Sequence, residues 1–109
     1  MDVGAYVREF NAAVVSGEWS RLVAWFSDDA VLEFVGLPVG PFVGRGAIAA
    51  AYVTSPPDDT IEVLSERTTA TGEWLVHFRW SSSEAGGTMT LRELGQQITR
   101  LAVTFGDPD

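Results

Sequence analysis

The chain offers few side chains able to move a proton near neutral pH. His77 is its sole histidine, and imidazole is the side chain whose ordinary pKa suits general acid–base work there. Glu33 stands inside the apolar run AVLEFV, where a carboxylate could act as a proton carrier if it faced a cavity. Asp28 and Asp29 are adjacent, a spacing that suits turn hydrogen bonds better than a cooperating catalytic pair. Cysteine is absent, which removes a thiolate nucleophile, a thiolate metal site and any disulfide framework. With a single histidine, no metal centre is expected. The glycines of GLPVGPFVG do not stand in a strand–GxxxxGK–helix setting, so they are not a phosphate cradle. Cofactor chemistry is therefore not expected.

Charge narrows the partners. All seven basic residues are arginines, against fifteen acids, for a net charge of −8. Nucleic-acid binding depends on cations that neutralise phosphates, and anionic membranes select the same residues. Neither partner is expected. The apolar runs are too short to span a bilayer. MDVGAYVREF carries an acid and no basic n-region, so a secretory signal is not expected and a cytoplasmic location is.

The elements that must position these groups fit one domain, 1–109. Behind Asp2, a candidate helix cap, Val3, Tyr6, Val7, Phe10, Ala13 and Val14 recur at helical spacing as far as Gly17. Trp19, Leu22, Val23 and Phe26 continue that period and predict a second helix, broken at Ser27-Asp28-Asp29. AVLEFV, 30–35, predicts a short strand, GLPVGPFVG a loop and RGAIAAAYV, 45–53, a third helix. After SPPDD the period changes to two, and four strands follow: TIEVLSERT, EWLVHFRWS, TMTLREL and ITRLAVTF. The tail GDPD is expected to fray. Helices gathered at one end of an antiparallel meander predict an α+β fold. A sheet curved around three helices would leave a conical cavity.

Alternation decides which candidates see that cavity. Trp74, Val76, Phe78 and Trp80 share the apolar face of their strand, which leaves His77 and Arg79 on the other. Glu33 lies opposite Leu32 and Phe34, and a bulge after Ala30 would be needed to turn it inward. Trp25 falls off the apolar face of the second helix and suits packing under a loop or at a dimer contact. Leu37 and Phe42 could close the cavity mouth as part of a lid, or their loop could be an inert connection.

The stretches VREFNAAVVSGEWSRLVAWFSDDAVLEFVG and VGRGAIAAAY resemble the start of the nuclear transport factor 2-like superfamily, in its ketosteroid isomerase and polyketide cyclase-like (SnoaL-like) branch. The resemblance covers nearly the whole chain. It implies a cone-shaped, cystatin-like α+β barrel, in which a curved antiparallel sheet wraps three helices, and it implies a homodimer. Isomerases of this branch use a helix tyrosine, a strand-end carboxylate and a protonated aspartic acid. By position these fall on Phe10, Phe34 and a residue near Thr90, none of which keeps that chemistry. Tyr52 matches a tyrosine that in isomerases bonds the catalytic one; beside Phe10 its hydroxyl would be the only donor facing the cavity. Limonene epoxide hydrolase is similar at FSDDAV and LVHFRWS, but its carboxylates would fall on Ser81 and Val103, leaving Arg79 alone.

The resemblance thus implies a protein for a hydrophobic small molecule, with Phe10, Phe34, Tyr52 and Val103 around the ligand. Whether it is an enzyme stays open. If it is, the chemistry is metal-free isomerase- or cyclase-like acid–base catalysis by Tyr52 with Glu33 or His77. The alternative is a non-catalytic binding or dimerisation module with its cavity filled. The volume between Phe10, Phe34, Tyr52 and Val103 separates the two.

Overall fold

The computed structural model describes residues 1–106; the rest of the tail expected to fray lies outside the described residues. The elements in chain order are α1 (Val3–Ser16), α2 (Ser20–Val23), β1 (Phe26–Phe34), β2 (Phe42–Val43), α3 (Arg45–Thr54), β3 (Ile61–Thr68), β4 (Trp74–Trp80), β5 (Gly86–Leu94) and β6 (Gln97–Phe105). Three helices and one curved, open six-stranded sheet build the expected α+β cone.

Local chemistry accounts for α1. The Asp2 carboxylate accepts a hydrogen bond from the Ala5 N–H at 2.9 Å, which satisfies one of the donors a helix start leaves open. Val3, Tyr6, Val7, Phe10 and Ala13 are buried along one face. Gly17 closes the helix at φ 77°, a left-handed conformation that costs glycine little. Asn11 on the same helix clamps the start of β3. Its side chain donates to the Ile61 carbonyl at 3.0 Å and accepts from the Ile61 N–H at 2.9 Å.

The second helix departs from expectation. It is a single turn, and Phe26 starts β1 instead of ending the helix. The ring of Phe26 is fully buried beside Ile98 in the sheet. Full burial of such a side chain is worth about 1.5–3 kcal/mol, more than a marginal helical turn can offer. Asp28 and Asp29 consequently lie in β1, not in a turn after a helix. Between Phe26 and Val31 the parallel partner β6 advances only from Ile98 to Arg100, and the surplus of β1 bulges out. There Asp28 pairs with Arg45 at the start of α3, and Asp29 accepts a 3.0 Å bond from the Ser27 hydroxyl.

The strand order is β2-β1-β6-β5-β4-β3. The expected meander β3 to β6 is antiparallel throughout, but β1 joins β6 in parallel, so the sheet as a whole is mixed. Register lines up the inward side chains in rows. One row runs Val76, Met89, Val103, Phe34; the next runs Trp74, Leu91, Leu101, Leu32, Phe42. In a third row Gly87 stands between Phe78 and Phe105. A Cβ there would lie 2.2 Å from the Thr104 carbonyl oxygen, so only glycine allows this approach of β5 to β6. α1 packs toward β3, and α3 packs over β1 and β2.

Candidate functional site

The inner face of the sheet and the two long helices border a small chamber of about 80 Å³. Phe10 reaches it from α1, Tyr52 from α3, Phe34 from the end of β1 and Val103 from β6. The four residues expected around a ligand therefore border one space. A wider groove of about 520 Å³ adjoins it, walled by the loop residues Leu37 and Val39, by Phe42 of β2 and by the small side chains of α3. The loop after β1 thus forms a wall of the groove, with Leu37 and Val39 each 48% exposed.

Two expected proton carriers are elsewhere. Glu33 stays on the outer face of β1, where its carboxylate pairs with Arg100; the bulge precedes Val31 and does not turn it inward. His77 sits between Ser65 and Thr88 on the outer face of the sheet, while its neighbours Val76 and Phe78 are buried. Neither borders the chamber or the groove. Arg79 pairs with Glu62 on that outer face as well. On β5 the chamber residue is Met89, not Thr90. No described residue lining either space is an acid, a base or an arginine.

Tyr52 has a partner that sequence reasoning missed. The expectation set it beside Phe10 alone, but Tyr6, one helical turn earlier on the same face, also lines the chamber. The two tyrosines are 2% and 6% exposed. Tyr52 lies flat on Trp19, centroids 4.9 Å apart and planes 10° apart. Tyr6 meets the edge of Trp25 at 5.8 Å and 74°, which gives Trp25 its packing role. Burial pushes the Tyr52 phenol up to about 12, against a smaller lowering by Tyr6. Burial holds Tyr6 well above the ordinary range too, and the neighbouring Tyr52 adds to it. Each hydroxyl influences the other's titration, and no described residue bonds either one within ordinary hydrogen-bond geometry. A signal for Tyr6 did exist: it is four residues before Phe10, on one helical stripe.

Phe105, Trp80 and Pro57 also line the chamber. Phe34 and Phe105 stack at 6.0 Å and 11°, and Trp80 continues the stack beyond Phe105 at 6.3 Å and 15°. Alternation along β6 already places Phe105 on the face of Leu101 and Val103; nothing local signals Pro57.

Chemically, two phenols held neutral in an apolar space are hydrogen-bond donors and not bases. They can bind a carbonyl or hydroxyl oxygen. Among the described residues the lining holds no carboxylate or imidazole to carry a proton.

A SnoaL-like domain model matches residues 7–103. No curated protein matches the sequence. Among solved structures, a protein from Sphaerobacter thermophilus is 24% identical, with 94% of each chain covered and a TM-score of 0.70. A candidate polyketide cyclase from Sinorhizobium meliloti is 21% identical over 91% of this chain and 93% of its own, also at 0.70. An NTF2-like protein of unknown function from Burkholderia xenovorans LB400 is 16% identical over 98% and 84%, again at 0.70. Likeness at these identities bears on the fold.

Proposed function

Since this chain belongs to the SnoaL-like domain family, we propose that it binds a hydrophobic small molecule bearing a carbonyl or hydroxyl oxygen. The observation that carries the reading is the groove of about 520 Å³ opening beside Tyr52, within the range of about 300–1,000 Å³ usual for small-molecule sites. Apolar walls supply the affinity, and the Tyr52 phenol supplies the polar contact that orients the ligand. Binding without turnover is the form this reading takes. The usual isomerase positions fall on Phe10, Phe34 and a residue near Thr90, and Glu33 and Glu62, each one residue from a chamber side chain, are paired with arginines outside.

A second reading has its own observation. The chamber between Phe10, Phe34, Tyr52 and Val103 holds only about 80 Å³, the share of two or three waters. This favours a module whose cone is filled by its own aromatics. In either case the outer sheet face pairs with a second copy in this proposal, because Leu64 and Leu94 are 58% and 77% exposed there. A cytoplasmic location accompanies the proposal, as no cysteine asks for an oxidising compartment.

Calorimetric titration with 1-tetralone, a flat aryl ketone, tests the binding reading. Saturable heat at one site per chain is expected. Absence of heat up to the solubility limit overturns it in favour of the filled module.

A further inference from the structure

The chamber and the groove share one wall. Phe34, Tyr52, Pro57 and Phe105 border both spaces, whereas Tyr6 borders the chamber alone. Size decides what can cross. An apolar protein cavity takes up benzene at about 150 Å³, and the chamber has about 80 Å³. A ring cannot enter while the wall stands. Tyr52 is pinned flat on Trp19, and the proline ring is fixed to its backbone, so the yielding part of the wall is the phenylalanine pair.

Both phenylalanines sit at strand ends. Phe34 is the last residue of β1 and Phe105 the last of β6. The chain turns away two residues after the first and one after the second, at Gly36 with φ 82° and Gly106 with φ 94°. Phe34 is half-buried and touches Phe42 only edge-on, at 6.3 Å and 82°. Phe105 is 42% exposed. Rings held by such side contacts can change rotamer without breaking a strand ladder.

We propose that the Phe34 ring, backed by Phe105, closes the chamber to ring-sized ligands and so sets how deep a ligand reaches. It is a specificity-determining residue resting on the small-molecule reading above. A ligand ring seats in the groove beside Tyr52 and stops at Phe34; Tyr6 meets it only when that ring is out of the way.

The two tyrosines of the chain make the two spaces separately visible. Incorporation of 3-fluorotyrosine yields two ¹⁹F lines, assigned with Tyr6→Phe and Tyr52→Phe. With 1-tetralone the native protein is expected to shift the Tyr52 line and leave the Tyr6 line in place. Phe34→Ala should let the same ketone move both lines and lower its dissociation constant. Phe105→Ala, at an exposed position, provides the open wall independently if Phe34→Ala does not fold. A ketone that moves Tyr6 as far as Tyr52 in the native protein overturns the gate and leaves the binding reading standing. So does a Tyr6 line that stays fixed in the open variants while Tyr52 moves. Two silent lines and no heat in every protein overturn the gate together with the reading beneath it.

Discussion

Replacing Tyr52 by phenylalanine removes one oxygen and little else, which makes it the sharpest probe of the phenol pair. The ring keeps its place on Trp19 at 4.9 Å, whereas truncation to alanine would leave a cavity costing about 3–5 kcal/mol and obscure any effect on binding. Among the described residues no backbone group bonds the hydroxyl within ordinary geometry, so its loss strands none. The expected change in fold stability is within about 1 kcal/mol, a midpoint shift of at most about 4–8 °C for a domain of this size. Toward a ligand the expectation differs. A hydrogen bond from Tyr52 to a ketone oxygen contributes about 1 kcal/mol, so Tyr52→Phe should weaken 1-tetralone about fivefold. Its hydrocarbon counterpart, tetralin, has no oxygen to lose and should bind both proteins alike. The assay is quenching of the intrinsic tryptophan fluorescence, since Trp19 carries the Tyr52 ring. Equal changes for ketone and hydrocarbon would refute the reasoning, as would a ketone affinity that does not move. A large loss of stability would show instead that the hydroxyl serves the fold. Tyr6→Phe in the same cycle should not add independently, because the two hydroxyls are neighbours.

Asn11→Ala should lower the urea midpoint by the equivalent of about 2–3 kcal/mol, since it strips both bonds from the Ile61 backbone at 2.9 and 3.0 Å; a change below about 0.5 kcal/mol would show that water replaces the clamp. Alkaline pH should destabilise the protein. Both phenols are raised above their ordinary value of about 10, Tyr52 to about 12, so above pH 10 the unfolded chain releases protons that the folded one retains. Stability is then full below pH 10 and falls as pH climbs toward 12; identical urea midpoints at pH 8 and pH 11 would contradict this. Light scattering at micromolar concentration should return twice the chain mass, with Leu94→Glu returning the monomer; a monomeric native protein would remove the proposed pairing of outer faces.

Much of the architecture is written locally. Helical spacing from Val3 to Val14 and strict alternation from Trp74 to Trp80 each bury one face whatever lies opposite, so α1 and the meander strands were legible before any contact was known. The same alternation sends His77 and Glu33 outward, and the structure places both there. The composition of the helix after Gly44 was equally sufficient for α3, and strand chemistry sufficed for residues 30–34 of β1. What local pattern could not decide was competition and depth. Phe26 satisfies a helical period and a strand equally well, and only the apolar site beside Ile98 settles the matter. Asp28 and Asp29 carry turn chemistry, yet the neighbouring strand and Arg45 hold them in a bulge. Tyr6 and Phe10 occupy the same stripe of α1, one turn or about 5.4 Å apart. Which of them approaches Tyr52 depends on how far the helix has slid along the sheet, a distance set by the summed packing of the core and encoded in no single stretch. The parallel pairing of β1 with β6 is of the same kind, because it joins residues some seventy positions apart. The sequence by itself determined which faces are apolar and that His77 falls opposite the apolar face of its strand, while the side taken by Glu33 depended on where β1 bulges. Only the tertiary structure decided that two phenols border one chamber lined by aromatic rings, since register and helix position are properties of the whole packed core.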